Sequence, residues 1–371
     1  MRPKSNRSTR AEAARQVVVS PGAFEHIAIT RLPEQQTADG LFRATPRGDP
    51  GENYLSGSSS LRAGAIVLLG LLRADEVGLT HPFSTGALRT RVLGALGGAD
   101  AGPGELGLAL WAESRADGGA VNEICSLISL KLPRGFERIP LKKLAWLVSG
   151  LTEASARVGG GSELDSLLER AEQALLSRKI ADAGLMADYH HRIGGGMTPV
   201  SGQFHSLTAL CQLERAGRGG AVRQAAGDLL EGLLSIQRED GSWPGIIDPV
   251  RGEAASLYPV LTVTQVALAP VALRLCGELG RTGPLDDAVG RGLAWADGQN
   301  QLGFELVHES EARIDRGIMP SRKSGAVTRG LTTAARRLRG RLLEPDSSDL
   351  ILDPEVSSED LGWLLEAWAG R

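Results

Sequence analysis

From about Leu61 onward the chain alternates apolar stretches at helical spacing with short polar or glycine-rich breaks. In residues 61–72, Ala65, Ile66, Leu68, Leu69 and Leu72 cover most of a helical circumference, which predicts a helix buried on several sides. Similar segments follow near 86–97, 104–115, 119–131, 140–157, 162–179, 200–216, 220–237, 259–280, 285–298, 326–343 and 357–369. Gly97-Gly98, Gly118-Gly119, Gly159 to Gly161, Gly194 to Gly196, Gly219-Gly220 and Pro284 stand where helices must stop. About twelve helices joined by short loops make six helical hairpins. The segments drift in length, and no TPR, HEAT or ankyrin signature recurs. The hairpins are therefore expected to close into a ring, an all-α, (α/α)6-like toroid, and not to stack as an open superhelix. Residues 51–371 form one toroid domain in this reading, preceded by 1–50 as a basic tail and extension, partly disordered.

Composition agrees with close-packed helices. Hydrophobic residues reach 42% but aromatics only 4%, and 48 glycines supply turns. With 41 basic against 44 acidic residues the net charge is −3, so no global field recruits nucleic acid or an anionic membrane. A small-molecule or oligosaccharide ligand fits better; the oligomeric state stays open. No run approaches the ~20 apolar residues that span a bilayer. The basic start, with Arg2, Lys4, Arg7, Arg10 and Arg15, lacks the apolar core of a secretory signal. Cys125, Cys211 and Cys276 lie far apart in sequence without metal-ligand spacing, so no metal and no cofactor is expected and a reducing, cytoplasmic setting suits the chain.

Residues 220–245 carry a helical face of Val222, Ala226, Leu229, Leu230, Leu233 and Ile236 that ends in Gln237, Asp240-Gly241 and Trp243. This ending resembles the QW motif of squalene, hopene and other terpenoid cyclases, whose fold is an α/α toroid. A glutamine amide closing a helix end beside a packed indole satisfies orphan backbone groups and staples neighbouring hairpins, which gives Gln237, Asp240 and Trp243 a structural part. The chain is also similar to a group of bacterial toroid proteins from polysaccharide and natural-product gene neighbourhoods. The similarity lies in Tyr258-Pro259 through Thr264-Gln265 to Pro270, in Gly298 through Gly303 with Arg316-Gly317-Ile318, and in Glu359 through Gly362-Trp363 to Leu365. Weaker echoes stand at Ser60 to Arg62 and around Trp146. The resemblance implies a toroid of the terpenoid-cyclase or protein-prenyltransferase type, acting on an isoprenoid or natural product in a central cavity. In that bacterial group a His precedes the position of Gln265 and an acidic residue follows it; here Thr264 and Val266 stand in their places.

The standard chemistries of those relatives lack their residues. No DxDD occurs to protonate an alkene, no DDxxD to hold magnesium and a diphosphate, and no Cys-His doublet to hold zinc. Asp286-Asp287 follows Gly283-Pro284 at a helix start, where acidic side chains favour the positive end of the helix dipole.

Two polar clusters offer other chemistry. The first is Asp188, His190 and His191 before the glycine triplet, with Gln203 and His205 at the next helix start. Adjacent histidines point apart, so one of them faces a cavity as general base while Asp188 orients its ring. The second is Asp248 and Glu253, a carboxylate pair of the kind glycosidases and lyases use, with Arg251 and Tyr258 beside them. Thr264 and Gln265 are the polar positions of the apolar helix expected over 259–280, which Pro270 would kink, and with Tyr258, Gln203 and His205 they are assigned to substrate binding. Arg62 and Glu359, each in an otherwise apolar helix, are expected to pair and close the ring. Arg329, Arg336, Arg337, Arg339 and Arg341 form a basic, solvated helix face.

Three functions remain open at this level. The leading one is a terpenoid-cyclase-like enzyme acting on an isoprenoid or natural product without the usual acid. The alternatives are a carbohydrate-active or polysaccharide-biosynthesis toroid, and a catalytically silent binding toroid. The low aromatic content weighs against carbocation chemistry, which needs π faces.

Overall fold

Two kinds of burial pattern alternate along the chain, and together they build a double ring. The computed structural model describes residues 19–43, 56–98, 101–132, 135–189, 197–321, 347–354 and 356–371, without the side chains of 56–60. Among the described residues there are twelve α-helices: α1 (Pro21–Gln35), α2 (Ser56–Glu76), α3 (Thr85–Ala95), α4 (Pro103–Arg115), α5 (Val121–Lys131), α6 (Leu141–Arg157), α7 (Ser162–Leu176), α8 (Val200–Arg215), α9 (Gly220–Ser235), α10 (Ala269–Glu278), α11 (Leu285–Ala296) and α12 (Ser358–Trp368). Every residue of α4 from Gly104 to Ser114 and of α8 from Val200 to Leu213 is buried, as befits helices enclosed on all sides. By contrast α7 buries one stripe, Leu164, Leu167, Leu168, Ala171, Ala174 and Leu175, and α9 does the same. Those stripes face the inner ring.

The inner ring closes. Helix α2 packs on α4, α4 on α6, α6 on α8, α8 on α10, the turn before α10 on α12, and α12 back on α2. Each inner helix is backed by an outer one, with α1 against α12, α3 against α2, α5 against α4, α7 against α6, α9 against α8 and α11 against α10. The chain is an all-α, six-over-six α/α toroid. Among the described residues no helix is long and apolar enough to cross a membrane.

Helix α1 falls in the part read as tail and extension. Phe24, Ile27, Ala28 and Leu32 of α1 are buried, Phe24 stacks on Trp368 of α12 with centroids 5.2 Å apart, and Ser20 caps the helix by accepting from the Ala23 amide.

The segment expected as one helix over 259–280 is built differently. It starts as a strand, β4 (Val260–Leu261), turns helical at Thr262, passes through a π-turn at Thr264–Leu268 and continues as α10 from Ala269. Pro270, expected to kink this helix, accounts for the π-turn. It has no N–H to give the Val266 carbonyl, and the Trp368 indole takes that carbonyl instead at 2.6 Å. The helix expected over 326–343, the arginine face on it and the basic start of the chain lie outside the described residues.

Short strands occupy the loops that lead into inner helices. β1 (Thr198–Pro199), β2 (Ile246–Asp248) and β3 (Glu253–Ser256) form one antiparallel sheet. β4, β7 (Gly317–Pro320) and β8 (Leu350–Asp353) form a second, and β5 (Val307–His308) with β6 (Arg313–Ile314) a hairpin. The ring also brings together two cysteines that are 65 positions apart: Cys211 of α8 and Cys276 of α10 are buried with their sulfurs at 3.5 Å.

Candidate functional site at the loop-bearing mouth

The two ends of the ring differ in their connections. Chain segments leaving inner helices are short, as in 77–84, 116–120, 158–161, 216–219 and 279–284, whereas those leading into them are long, as in 177–199, 236–263 and 297–357. Long loops held by a rigid ring are where binding groups collect. The inner-helix N-termini therefore mark the mouth of interest.

There Arg62 of α2 donates through Nε to Glu359 Oε1 of α12 at 2.9 Å, an ion pair joining helices 297 positions apart and closing the ring. Burial holds the Glu359 carboxyl above its usual range, although Arg62 and then Lys142 pull the other way. Lys142 at the start of α6 lies 5.1 Å from the Trp146 ring centre, and Arg316, just before β7, is 3.7 Å from the buried Asp353 of β8. Lys142, Arg316 and Glu359 line a cavity of about 30 Å3 together with Ser201, Thr264 and Trp363 among others. Its floor is aromatic. Trp363 of α12 lies 4.9 Å from His205 and 6.5 Å from Trp146, centroid to centroid, and Trp111 of α4 stands 6.3 Å further along the axis.

The sequence-level candidates are dispersed across this frame. Thr264 lines the small cavity, and His205, 5% exposed, sits under it between Trp146 and Trp363. Gln203 is fully buried and clamps Met186, accepting from its amide at 2.9 Å and donating to its carbonyl at 2.7 Å. Gln265 accepts from the Trp243 amide at 2.9 Å, which ties the two sequence-similar stretches together. Asp188 accepts from the Leu141 amide at 2.9 Å and so caps α6. Asp188→Ala should lower stability by about 1 kcal/mol, read from the denaturant midpoint, because the cap is lost. Asp248 accepts from the Val250 and Arg251 amides in the turn of the β2–β3 hairpin, where it pairs in register with Glu253, itself 3.8 Å from Arg251. Tyr258 is buried before β4, and its carbonyl accepts from the Ser256 hydroxyl at 2.8 Å. His190 and His191 lie outside the described residues.

The residues compared to a QW motif form a joint between hairpins. Gln237 donates to the carbonyls of Gly241 and Ala288, both at 2.8 Å, and accepts from Arg291 at 2.6 Å. Asp240 accepts from the Ser242 amide, and the buried Trp243 indole donates to the Leu233 carbonyl at 3.0 Å.

Sequence reasoning missed Lys142 and Asp353, and it gave Arg316 only as part of a family-like stretch and not as a site residue. It also missed His308 and Asp315, whose side chains meet at 3.2 Å. The signal for that pair is the hairpin register, in which His308 faces Arg313, two positions before Asp315.

No family model matches the chain, and no curated protein matches its sequence. Solved structures do match its fold. A possible GH105 family member from Salmonella enterica serovar Paratyphi A superposes with a TM-score of 0.60 at 10% identity, over 99% of this chain and 98% of that one. An unsaturated glucuronyl hydrolase from Bacillus sp. GL1, responsible for glycosaminoglycan degradation, gives 0.55 at 13% identity over 94% and 98%. A polysaccharide lyase gives 0.57 at 10% identity over 94% and 96%. At these identities the likeness is one of architecture: the chain shares the α/α toroid of carbohydrate-processing proteins, and kinship with terpenoid cyclases does not emerge.

Proposed function

We propose that this chain is a carbohydrate-active toroid that acts on an acidic oligosaccharide at the loop-bearing mouth of the ring. The observation that carries the reading is Glu359, a carboxyl held above its usual range by burial, set between Arg62 and Lys142. In this reading Glu359 handles the proton, as a general acid needs a pKa nearer neutrality than a free carboxylate has. Lys142 and Arg316 meet the acidic groups of the substrate, and Trp363 gives the sugar an aromatic surface. Thr264 and His205 belong to the same site, and Asp248 and Glu253, on the hairpin beside this mouth, remain a second carboxylate pair for it. The toroids named above, which process glycosaminoglycans and other polysaccharides, support a sugar over an isoprenoid. So does the lining: charged side chains at this mouth suit an acidic glycan and oppose a hydrocarbon chain. A reducing, cytoplasmic setting remains part of the proposal.

The test is to incubate the full chain with acidic oligosaccharides, with and without an unsaturated terminal uronate, and to follow the ultraviolet absorbance of the C4–C5 double bond. A lyase raises it and an unsaturated-uronate hydrolase lowers it. Glu359→Gln keeps the shape and a hydrogen bond to Arg62, and should slow turnover about a hundredfold or more. Full activity in that variant would remove Glu359 from the role, and no change of signal with any glycan would sink the reading.

A further inference from the structure

The opposite mouth, where the connections are short, holds a larger cavity, of about 170 Å3. The C-terminal turns of all six inner helices contribute to it. Six arginines and four glutamates line it. Arginines are expected there, because helix C-termini carry partial negative charge. The glutamates are all committed: Glu366 takes Arg115 in a two-bond fork at 2.6 and 2.7 Å, Glu76 takes Arg73 at 3.2 Å, Glu153 takes Arg157 at 3.0 Å and Glu278 takes Arg215 at 2.6 Å.

Arg274 and Arg371 are left over. Neither pairs with a carboxylate among the described residues; Arg274 donates to the Ala367 carbonyl and lies over the Trp368 ring. Burial, and after it the charge of Arg371, bring Arg274 down to about 10, still charged at neutral pH. Two further groups on the same wall are buried without partners. Among the described residues, the indole N–H of Trp111, which is 3% exposed, has no acceptor, and the amide oxygen of Gln212, which is 6% exposed, has no donor, although the Gln212 NH2 reaches Glu153 at 3.3 Å. Buried polar atoms are almost always satisfied, so an orphan donor and an orphan acceptor on one cavity wall mark where a ligand supplies the complement. Helix ends explain the cations but not this pair.

We propose that the cavity binds a monoanionic, hydroxyl-bearing small molecule the size of one sugar ring. Its carboxylate lies on Arg274 and Arg371, one hydroxyl accepts from the Trp111 indole, and another donates to Gln212. A volume of about 170 Å3, enclosed by the ends of six inner helices, has room for about one sugar ring. Inorganic phosphate carries charge but no sugar ring, so it meets Arg274 and Arg371 without bringing ring hydroxyls to Trp111 and Gln212. This site stands apart from the loop-bearing mouth, since the Trp111, Trp363 and Trp146 rings fill the axis between them.

The experiment is a titration of the 15N-labelled full chain with D-glucuronate, D-glucose and inorganic phosphate, following the tryptophan indole N–H signals. The Trp111 signal is identified by its loss in Trp111→Phe. D-Glucuronate should shift that signal saturably, glucose and phosphate far less, and Arg274→Gln should weaken glucuronate binding about tenfold or more. A Trp111 signal that stays put, or that phosphate moves as strongly as glucuronate, would overturn the proposal. If Arg274→Gln does not fold, Trp111→Phe decides through calorimetry: unchanged glucuronate affinity in it counts against the site, and a severalfold loss supports it.

Discussion

Arg178→Met is expected to cost about 4 kcal/mol of stability or more, measured from the midpoint of chemical denaturation. Arg178 follows α7 and is 1% exposed. Its guanidinium donates to the carbonyls of Glu137 and Ile139, each at 2.9 Å, to that of Phe136 at 3.5 Å, and to that of Asp188. Burial pulls its pKa down, so the fold carries a desolvated cation whose direct hydrogen-bond partners are carbonyls. Methionine fills similar space but donates nothing, and each buried carbonyl left without a partner costs about 1–3 kcal/mol. Arg178→Lys keeps the charge without the fork, so it should recover only part of the loss. A Met variant within about 1 kcal/mol of the parent would show that water replaces the lost donors. The carbonyls belong to two loops, one leading into α6 and one ending at the Asp188 cap of α6. Arg178 thus sets the position of Lys142 at the candidate site without touching it.

That dependence explains how much of the molecule was legible in the sequence. The inner helices were readable because burial on all sides leaves apolar residues around the whole circumference, as in 61–72 and 104–115. Helix α1 was readable too, from Ser20-Pro21 ahead of Phe24, Ile27, Ala28 and Leu32, but the basic run before it drew the segment into a tail. The stretch 259–280 was read slightly too far: its first residues form the short strand β4, the chain is helical from Thr262, and the break expected at Pro270 takes the form of a π-turn just before it. At the site, Arg62 and Glu359 stood out because a charge inside an apolar helix needs a partner. Lys142 and Asp353 did not, and Arg316 stood out only within a family-like stretch, because their approach depends on ring closure and loop register. The arginines of the opposite mouth were hidden in the same way: each looks like an ordinary helix C-terminal cation until six such ends meet around one axis.

Ring closure itself rests on backbone contact between inner helices, and Gly150→Ala should expose how tightly it is set. A Cβ on Gly150 of α6 would overlap the carbonyl oxygen of Gly107 in α4 and come within 3.0 Å of its carbonyl carbon. The obstacle is main chain on both sides, since a Cβ on Gly107 would in turn overlap the backbone of Leu147, so no side chain can swing aside. The α2–α12 contact is built alike, with Gly70 against Gly362. Forcing one methyl into such a contact means parting two helices that are buried over most of their length, at a cost of about 3 kcal/mol or more. The expected result is a melting temperature several degrees lower, with helix content by circular dichroism unchanged below the transition. The half-buried Gly227 of α9 has open space around its added Cβ, and Gly227→Ala should leave stability equal or slightly higher by relieving backbone entropy. Equal stability of both variants would mean that α4 and α6 slide apart freely, and the double ring would then owe its shape to side-chain packing, not to this glycine contact.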